Sequence, residues 1–478
     1  MENQKTKIIS IASIIALALT LVTATFAYFM AQTGEGKSTD IKVNASTVDT
    51  LTFEAGSALN LSLNQENFAS GKGNQAGTTF AKAMLSANNK TNTATEHYYL
   101  YLNISNNTFT YSIDNNTPEI LLSIKDSSNN EITTLTGLTY KTVTDGKGAS
   151  IKGFDITNKK GLVTILNNRE ITTTSIKTEE WNVTVTFVNY NSNQAGNAGK
   201  NFSAKLLIQK TKIPTLADYV ISQYTGTQGE NSLYYHNSTL TNGAGDNSYR
   251  YAGASDSVNN YICLGSDATT CPDANLFRII GVFGDQTKVI RAKSVGEQKW
   301  NTSSSNTWSS SRLNVYLNRS YLKSLGTLAE KIAITTWKVG GNTWANIGTS
   351  VLATAYQNEI ISPDATNSTD NKTEYSAKIG LMYVSDYGFA ADQSGWTAKL
   401  NSYESNTSKN WLFLGSDEWP ISRISDTAER AFVVRSTGNV DGIYVTYDSF
   451  AVRPSFNLES SVIYVSGSGS MSDPVRVN

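Results

Sequence analysis

The 478-residue chain contains few of the residues on which many enzyme and metal sites depend, with only two cysteines and two histidines. These four residues do not make a zinc finger, and they leave little for histidine-based catalysis. Charged residues account for 17% of the chain and the formal net charge is −1, which excludes a broad basic surface of the kind that binds nucleic acid. We therefore expect no metal site, no cofactor and no nucleic-acid partner.

What the chain does contain is enough apolar material for folded domains. Hydrophobic residues make up 39% and aromatic residues 10% of the sequence, which excludes a disordered chain. Three residue types are distributed unevenly, because Arg169, Trp181 and Pro118 are the only arginine, tryptophan and proline before residue 213. This shift predicts two independently built domains with a boundary near residue 213.

The N-terminus has the layout of an export signal. Lys5 and Lys7 precede an uncharged apolar run over residues 8–31, and small residues would allow cleavage between Ala27 and Tyr28. The run spans 24 residues, whereas about 20 are enough to cross a bilayer as a helix. Residues 1–31 are therefore interpreted as a signal peptide, with an uncleaved membrane anchor as the alternative. Both interpretations place the chain after Lys37 outside the membrane, because no second long apolar segment follows.

Residues 38–212 show the alternation of apolar and polar residues that is typical of β-strands. The clearest runs begin at Leu59, Tyr98, Trp181 and Phe202, and loops rich in Asn, Gly and Ser separate them. An all-β sandwich is the predicted fold. His97 falls on the polar face of one strand and is expected to be solvated.

A helix is predicted in the segment 213–229, which we interpret as a connector, with docking against the second domain as an alternative. Thr215 and Asp218 form a capping arrangement at its start, and Gly226 and Gly229 follow its end. Residues 230–478 then mix strand patterns with a helical pattern over 309–325, which predicts an α+β domain. A last hairpin is expected between 462–465 and 475–477.

The segment from Thr25 to Phe29, at the end of the apolar run, resembles the export junction of camelysin and of biofilm-matrix fibre proteins from Gram-positive bacteria. This resemblance implies an all-β mature domain. Camelysin-type proteins have been classed as metallopeptidases, but this chain has no His-Glu-x-x-His helix, and His97 and His236 lie 139 positions apart. We do not carry that activity over.

The second half resembles an uncharacterised domain of Gram-positive surface and secreted proteins. The matching pieces are 276–283, 308–325, 380–388 and 452–456. In addition, 432–438 followed by 451–454 is similar to the ending of C-type-lectin-like and formylglycine-generating-enzyme-like domains. That similarity implies a compact α+β fold with a loop-rich binding face.

Cys263 and Cys271 flank a polar loop and are predicted to form a disulfide, which suits an exported protein. The catalytic cysteines of formylglycine-generating enzymes lie near the C-terminal end of that domain. Both cysteines here lie near its start, so we expect no such catalysis.

The tryptophans of the second domain have two interpretations. They can stack on the apolar faces of sugars, or they can fill the core of an irregular domain, and the second is favoured. The candidate ligand-binding residues are Trp337, Trp344, Trp396, Trp411 and Trp419.

The sequence as a whole predicts an exported, non-enzymatic protein in which a C-terminal module binds a glycan or a host or matrix protein. The alternative is a structural subunit of an extracellular matrix or fibre. In that case the leader over residues 38–54 would add to the sheet edge of a neighbouring copy. A secreted hydrolase is the remaining alternative, for which no catalytic motif was found.

Overall fold

The computed structural model describes residues 49–68, 72–88, 92–114, 116–363, 373–447 and 449–478. The expectation of a β-rich protein is confirmed, with 38% strand and 18% helix. The chain divides into two compact units, with the division between Ile213 and Pro214. We call them the first unit and the second unit and describe each by itself.

The predicted export signal precedes the first residue that the structure describes. The apolar run over 8–31, the cleavage position at Ala27 and Tyr28, and most of the leader 38–54 lie outside the described residues. Within the described residues, none of the helices has the length and apolar character needed to span a bilayer.

The strands of the first unit are β1 (Thr50–Ala55), β2 (Leu59–Ser62), β3 (Gln75–Ser86), β4 (Ala94–Asn107), β5 (Ile120–Asp126), β6 (Tyr140–Thr144), β7 (Ser150–Asp155), β8 (Gly161–Thr173), β9 (Ile176–Phe187) and β10 (Asn201–Gln209). They form a six-stranded sheet with the order β1-β3-β9-β5-β7-β6 and a four-stranded sheet with the order β2-β10-β4-β8.

The two sheets of the first unit share an apolar core. Leu100 and Leu102 of the four-stranded sheet belong to the same buried cluster as Val183 and Val185 of the six-stranded sheet. The alternate side chains along each strand point away from this core, because successive residues of a strand face opposite sides. His97 is one of these, and its exposed ring lies with Nε2 3.5 Å from Oε2 of Glu170, which confirms that it is solvated.

The second unit contains many shorter elements. Its strands are β11 (Leu233–His236), β12 (Ser248–Tyr251), β13 (Tyr261–Cys263), β14 (Leu276–Phe283), β15 (Gln286–Arg291), β16 (Glu297–Gln298), β17 (Thr335–Lys338), β18 (Glu374–Ala377), β19 (Arg430–Val434), β20 (Val440–Tyr444), β21 (Phe450–Ala451), β22 (Ser455–Leu458), β23 (Tyr464–Ser466) and β24 (Val475–Val477). Its α-helices are α1 (Leu216–Ser222), α2 (Arg312–Val315), α3 (Leu322–Ser324), α4 (Trp344–Thr349), α5 (Leu352–Tyr356) and α6 (Val384–Phe389), with π turns at Tyr316–Tyr321 and Gln357–Ile361.

Strand β14 is the centre of the main sheet of this unit and pairs with β12, β13 and β15. Every residue from Leu276 to Val282 is buried, as expected for a strand covered on both faces. Gly281 is needed where β12 approaches, because a Cβ at this position would lie 2.2 Å from the carbonyl oxygen of Tyr249. The predicted C-terminal hairpin is present as β23 and β24.

Helix α1 begins with the predicted capping box between Thr215 and Asp218. It is not a free connector, since Leu216, Ala217 and Val220 are buried in the core of the second unit. The Leu216 N–H also donates to the carbonyl oxygen of Val462 over 2.7 Å. The helix therefore belongs to the second unit.

The predicted helix over 309–325 is confirmed as one helical run through α2, the π turn and α3, with Leu313 and Leu317 fully buried. The sequence also predicts strands from the apolar runs over 379–384 and 411–414, and both predictions are wrong. Residues 379–384 form a single bridge and then enter α6, and 411–414 form a turn. Both runs are apolar because they are buried, and a short buried run does not distinguish a strand from other structures.

The predicted disulfide is confirmed. Cys263 ends β13 and is bonded to Cys271, so that the polar loop between them is closed. The bond therefore closes the connection between β13 and β14, which are adjacent strands of the main sheet.

Replacing both cysteines by alanine should lower the free energy of unfolding of the second unit by about 2–3 kcal/mol, because the open loop has more conformations in the unfolded chain. Urea unfolding of the oxidised protein and of the double variant measures the difference. An unchanged free energy of unfolding would show that the bond does not stabilise the unit.

Candidate ligand-binding surface

Four of the five candidate tryptophans are core residues. Each is at most 2% exposed, and each indole N–H donates to a backbone carbonyl inside the unit. A ring enclosed on both faces cannot stack on a sugar, so the prediction of ligand binding is wrong for these four. They are Trp337, Trp396, Trp411 and Trp419.

Trp344 differs from the others, since 43% of its surface is exposed. It is the first residue of α4, whose start is capped by the Thr343 hydroxyl accepting the Asn346 N–H over 3.1 Å. The backbone N–H of Trp344 donates to Oδ1 of Asp426 over 3.2 Å. These contacts hold the backbone that carries the exposed ring.

The Trp344 ring lies on the hairpin formed by β19 and β20. It stacks on Phe432 with 6.4 Å between ring centroids and 23° between the planes. Gly442 pairs with Phe432 across the hairpin, and a Cβ at Gly442 would lie 3.0 Å from two carbon atoms of the Trp344 ring. The missing side chain at Gly442 therefore provides the space in which the indole ring sits.

The next pair on the same face of the hairpin is Arg430 with Tyr444. The guanidinium carbon of Arg430 lies 4.4 Å from the centroid of the Tyr444 ring, and Tyr444 is 41% exposed. A hydrogen bond with the Tyr444 side chain raises the pKa of Arg430, which stays positively charged. We call Trp344, Arg430 and Tyr444 the aromatic platform.

The chemistry of the aromatic platform suits a ligand with both apolar faces and oxygen atoms. Exposed aromatic rings stack on apolar surfaces, and a guanidinium presents up to five N–H donors to hydroxyl or carboxylate oxygens. Among the described residues, no group of three or more His, Cys, Asp or Glu side chains is placed to hold a metal ion. The platform itself contains no carboxylate.

A pocket of about 420 Å³ lies elsewhere on the second unit and contains none of the predicted site residues. The Tyr261 ring lines it and covers the buried guanidinium of Arg278, whose carbon lies 4.3 Å from the ring centroid. Burial lowers the pKa of Arg278 to about 10, and its N–H groups donate to oxygens of Asn260, Ser255 and Val258. Since these oxygens already bind the guanidinium, the pocket is a weaker candidate than the platform.

Sequence reasoning found Trp344 but missed Arg430, Gly442 and Tyr444. Their proximity depends on the register of β19 and β20, in which 430 faces 444 and 432 faces 442. From the sequence we predict strands over 431–435 and 443–447 but no pairing between them, and the second begins three residues after the observed β20.

Trp344→Ala should change the free energy of unfolding by less than about 1 kcal/mol, whereas Trp419→Ala should lower it by about 3–5 kcal/mol because it leaves a cavity in the core. Urea unfolding of the two variants beside the unmodified protein measures both values. Equal losses would contradict the distinction between an exposed and a structural tryptophan.

Comparison with known proteins adds one similarity. Residues 284–460 match a family described as a domain of unknown function, DUF6273. This stretch includes the whole aromatic platform. A search of curated proteins found no match, and a search of solved structures also found none. Residues 284–460 are thus similar to a family whose description assigns no activity.

Proposed function

We propose that this chain is an exported, non-enzymatic binding protein of the cell surface or extracellular space. In this proposal the first unit is a β-sandwich stalk and the second unit is an α+β binding module. The ligand is a glycan or a glycan-bearing host or matrix protein, and it binds at the aromatic platform.

The observation that carries the proposal is the exposure of Trp344, which packs on one face of the hairpin, and of Tyr444 on that face, with the guanidinium carbon of Arg430 4.4 Å from the Tyr444 ring centroid. The same unit buries its other six tryptophans, each of which is at most 2% exposed. Exposing apolar rings costs free energy in water, so adjacent exposed rings are a feature typical of binding surfaces.

Two further observations support export. The Cys263–Cys271 disulfide suits an oxidising compartment, because cytosolic proteins keep most thiols reduced. The apolar run after Lys5 and Lys7 has the order of charges and apolar residues that an export signal requires. Fractionation of cells followed by N-terminal sequencing would distinguish a released form from an anchored one.

Binding of the purified chain to an array of glycans and extracellular matrix proteins tests the proposal. We expect at least one ligand class to bind, and Trp344→Ala to weaken that binding at least tenfold because a stacking surface is lost. Tyr444→Ala should weaken it as well. Surface plasmon resonance gives the dissociation constants.

Ile334→Ala is the matched control, since Ile334 is 71% exposed on the same unit but is not part of the aromatic platform. It should bind as the unmodified chain does. An array without any binding, or equal affinities for the Trp344 and Ile334 variants, would contradict the proposal.

A second candidate function is assembly into a matrix fibre. Among the residues that the structure describes, β1 is an edge strand of the six-stranded sheet and pairs with β3 alone. An edge strand presents unpaired backbone groups to which another chain can add. The apolar side chains of Leu51 and Phe53 on β1 are only partly buried. They pack against a second, smaller apolar cluster of the first unit.

Sedimentation velocity tests assembly with the full chain and a variant lacking residues 38–49. We expect concentration-dependent oligomers of the full chain, which the deletion reduces because it removes the segment before β1. A full chain that remains monomeric at high concentration would contradict this second function and leave the binding proposal unaffected.

A further inference from the structure

Five ionisable side chains meet in the interior of the second unit, and we call them the ion cluster. Its members are Asp246, Arg250, Lys288, Glu359 and Asp386, of which the last four are nearly inaccessible to solvent. Two of them are cations and three carry carboxyl groups. Their surroundings contain the aromatic rings of Phe283, Trp337, Tyr356, Tyr383 and Phe389.

The amine of Lys288 and the carboxyl group of Asp386 are in direct contact inside the ion cluster. Nζ of Lys288 lies 2.5 Å from Oδ2 of Asp386, and both side chains are at most 5% exposed. The ammonium also lies 4.3 Å from the centroid of the Tyr383 ring. Burial lowers the pKa of Lys288, which favours the neutral, nucleophilic amine.

Glu359 is held next to this pair by the first turn of α6. Its carboxyl group accepts the N–H groups of Val384 and Ser385, while Oδ2 of Asp386 accepts the preceding N–H, that of Tyr383, over 2.9 Å. Because the three N–H groups are consecutive, the two carboxyl groups are neighbours.

The charge balance favours a protonated Glu359. Arg250 is matched by Asp246, with 2.6 Å between Nη2 and Oδ2, and Lys288 is matched by Asp386. Within the described part of the chain, no cation is left in the ion cluster for Glu359. Burial raises the pKa of Glu359, as expected for a carboxyl group without a counter-charge.

We propose that Lys288 and Asp386 are joined by an intramolecular isopeptide bond, formed in the folded chain with Glu359 as the proton carrier. A buried amine held against a buried carboxyl group needs no diffusion and little reorganisation to react. Without bulk water, the charged pair loses the solvation that keeps such pairs as ions at a protein surface.

The reaction is a condensation that needs no co-reactant. A bond forms between Nζ of Lys288 and Cγ of Asp386, and one bond from Cγ to oxygen breaks. Of the three ammonium protons, one remains on the amide nitrogen and two leave with the oxygen as water. Glu359 relays these protons and ends protonated, as it began, and the positive and negative charges of the pair cancel.

Two neighbouring donors stabilise the negative charge that develops on Asp386 during the attack. The Tyr383 N–H faces Oδ2, and Nη1 of Arg250 lies 3.6 Å from Oδ1. Donors that are already in place before the reaction stabilise such charge without further rearrangement.

Tryptic mapping of the full chain by mass spectrometry tests the bond. If it forms, trypsin cannot cut after Lys288, and peptides 279–291 and 379–399 are recovered as one species that is lighter than their sum by one water. Glu359→Gln keeps the shape of the side chain but removes the relayed proton, so it should yield separate peptides. Lys288→Met removes the nucleophile and should do the same.

The chain carries its own control. Lys293 and Asp273 are almost as close, with 2.6 Å between Nζ and Oδ2, but their side chains are 60% and 66% exposed. They should be recovered unlinked in every sample. Recovery of only unlinked Lys288 and Asp386 peptides from the unmodified chain would overturn the proposal, and equal cross-linking in Glu359→Gln would overturn the role of Glu359.

Discussion

The contact between Lys288 and Asp386 joins parts of the second unit that are far apart in the sequence. Lys288 lies on β15, which pairs with the central strand β14, and Asp386 lies on the first turn of α6. Arg250 of β12 approaches the same carboxyl group from the other side of β14. A buried charge costs several kcal/mol unless it is matched, so the arrangement that brings these charges together is favoured over packings that separate them. The pair Arg453–Glu418 applies the same constraint elsewhere in the core, through two hydrogen bonds of 2.7 and 2.8 Å.

The sequence predicted the first unit more completely than the second for a physical reason. A strand with one buried face alternates in polarity, and the runs around Leu59 and Tyr98 show this directly. In the second unit, segments such as Gly380–Tyr383 are buried on all sides. Their sequences therefore show no alternation of apolar and polar residues. The ion cluster escaped prediction because its members are up to 140 residues apart (Asp246 to Asp386) and meet only through the tertiary fold. A lysine between Thr287 and Val289 on a buried strand was the one local signal.

The tryptophan content of the second unit suggested five ligand-binding residues, and the burial of four of them leaves one candidate. Four of them fill the core, and their N–H groups are satisfied by backbone carbonyls, as buried indoles require. Trp344 lies at the surface, where α4 places its ring over Gly442 of β20. The absence of a side chain at Gly442 leaves room for the ring. Aromatic identity alone could not separate these roles, since the sequence around each tryptophan is similarly irregular. The hairpin register of β19 and β20 supplied the missing information.

The contacts of helix α1 limit how early the second unit can fold while the chain is being synthesised. Its first N–H binds the carbonyl oxygen of Val462, and the Tyr219 ring stacks on Tyr464 with 3.9 Å between centroids. Strand β13 likewise pairs in parallel with β24, more than two hundred residues later. The first elements of the second unit to leave the ribosome are α1 and β13. Their apolar faces are therefore covered only after the last strands of the unit have been synthesised. Such a high contact order slows folding, and the unit must be kept from aggregating until synthesis of the chain has reached β24.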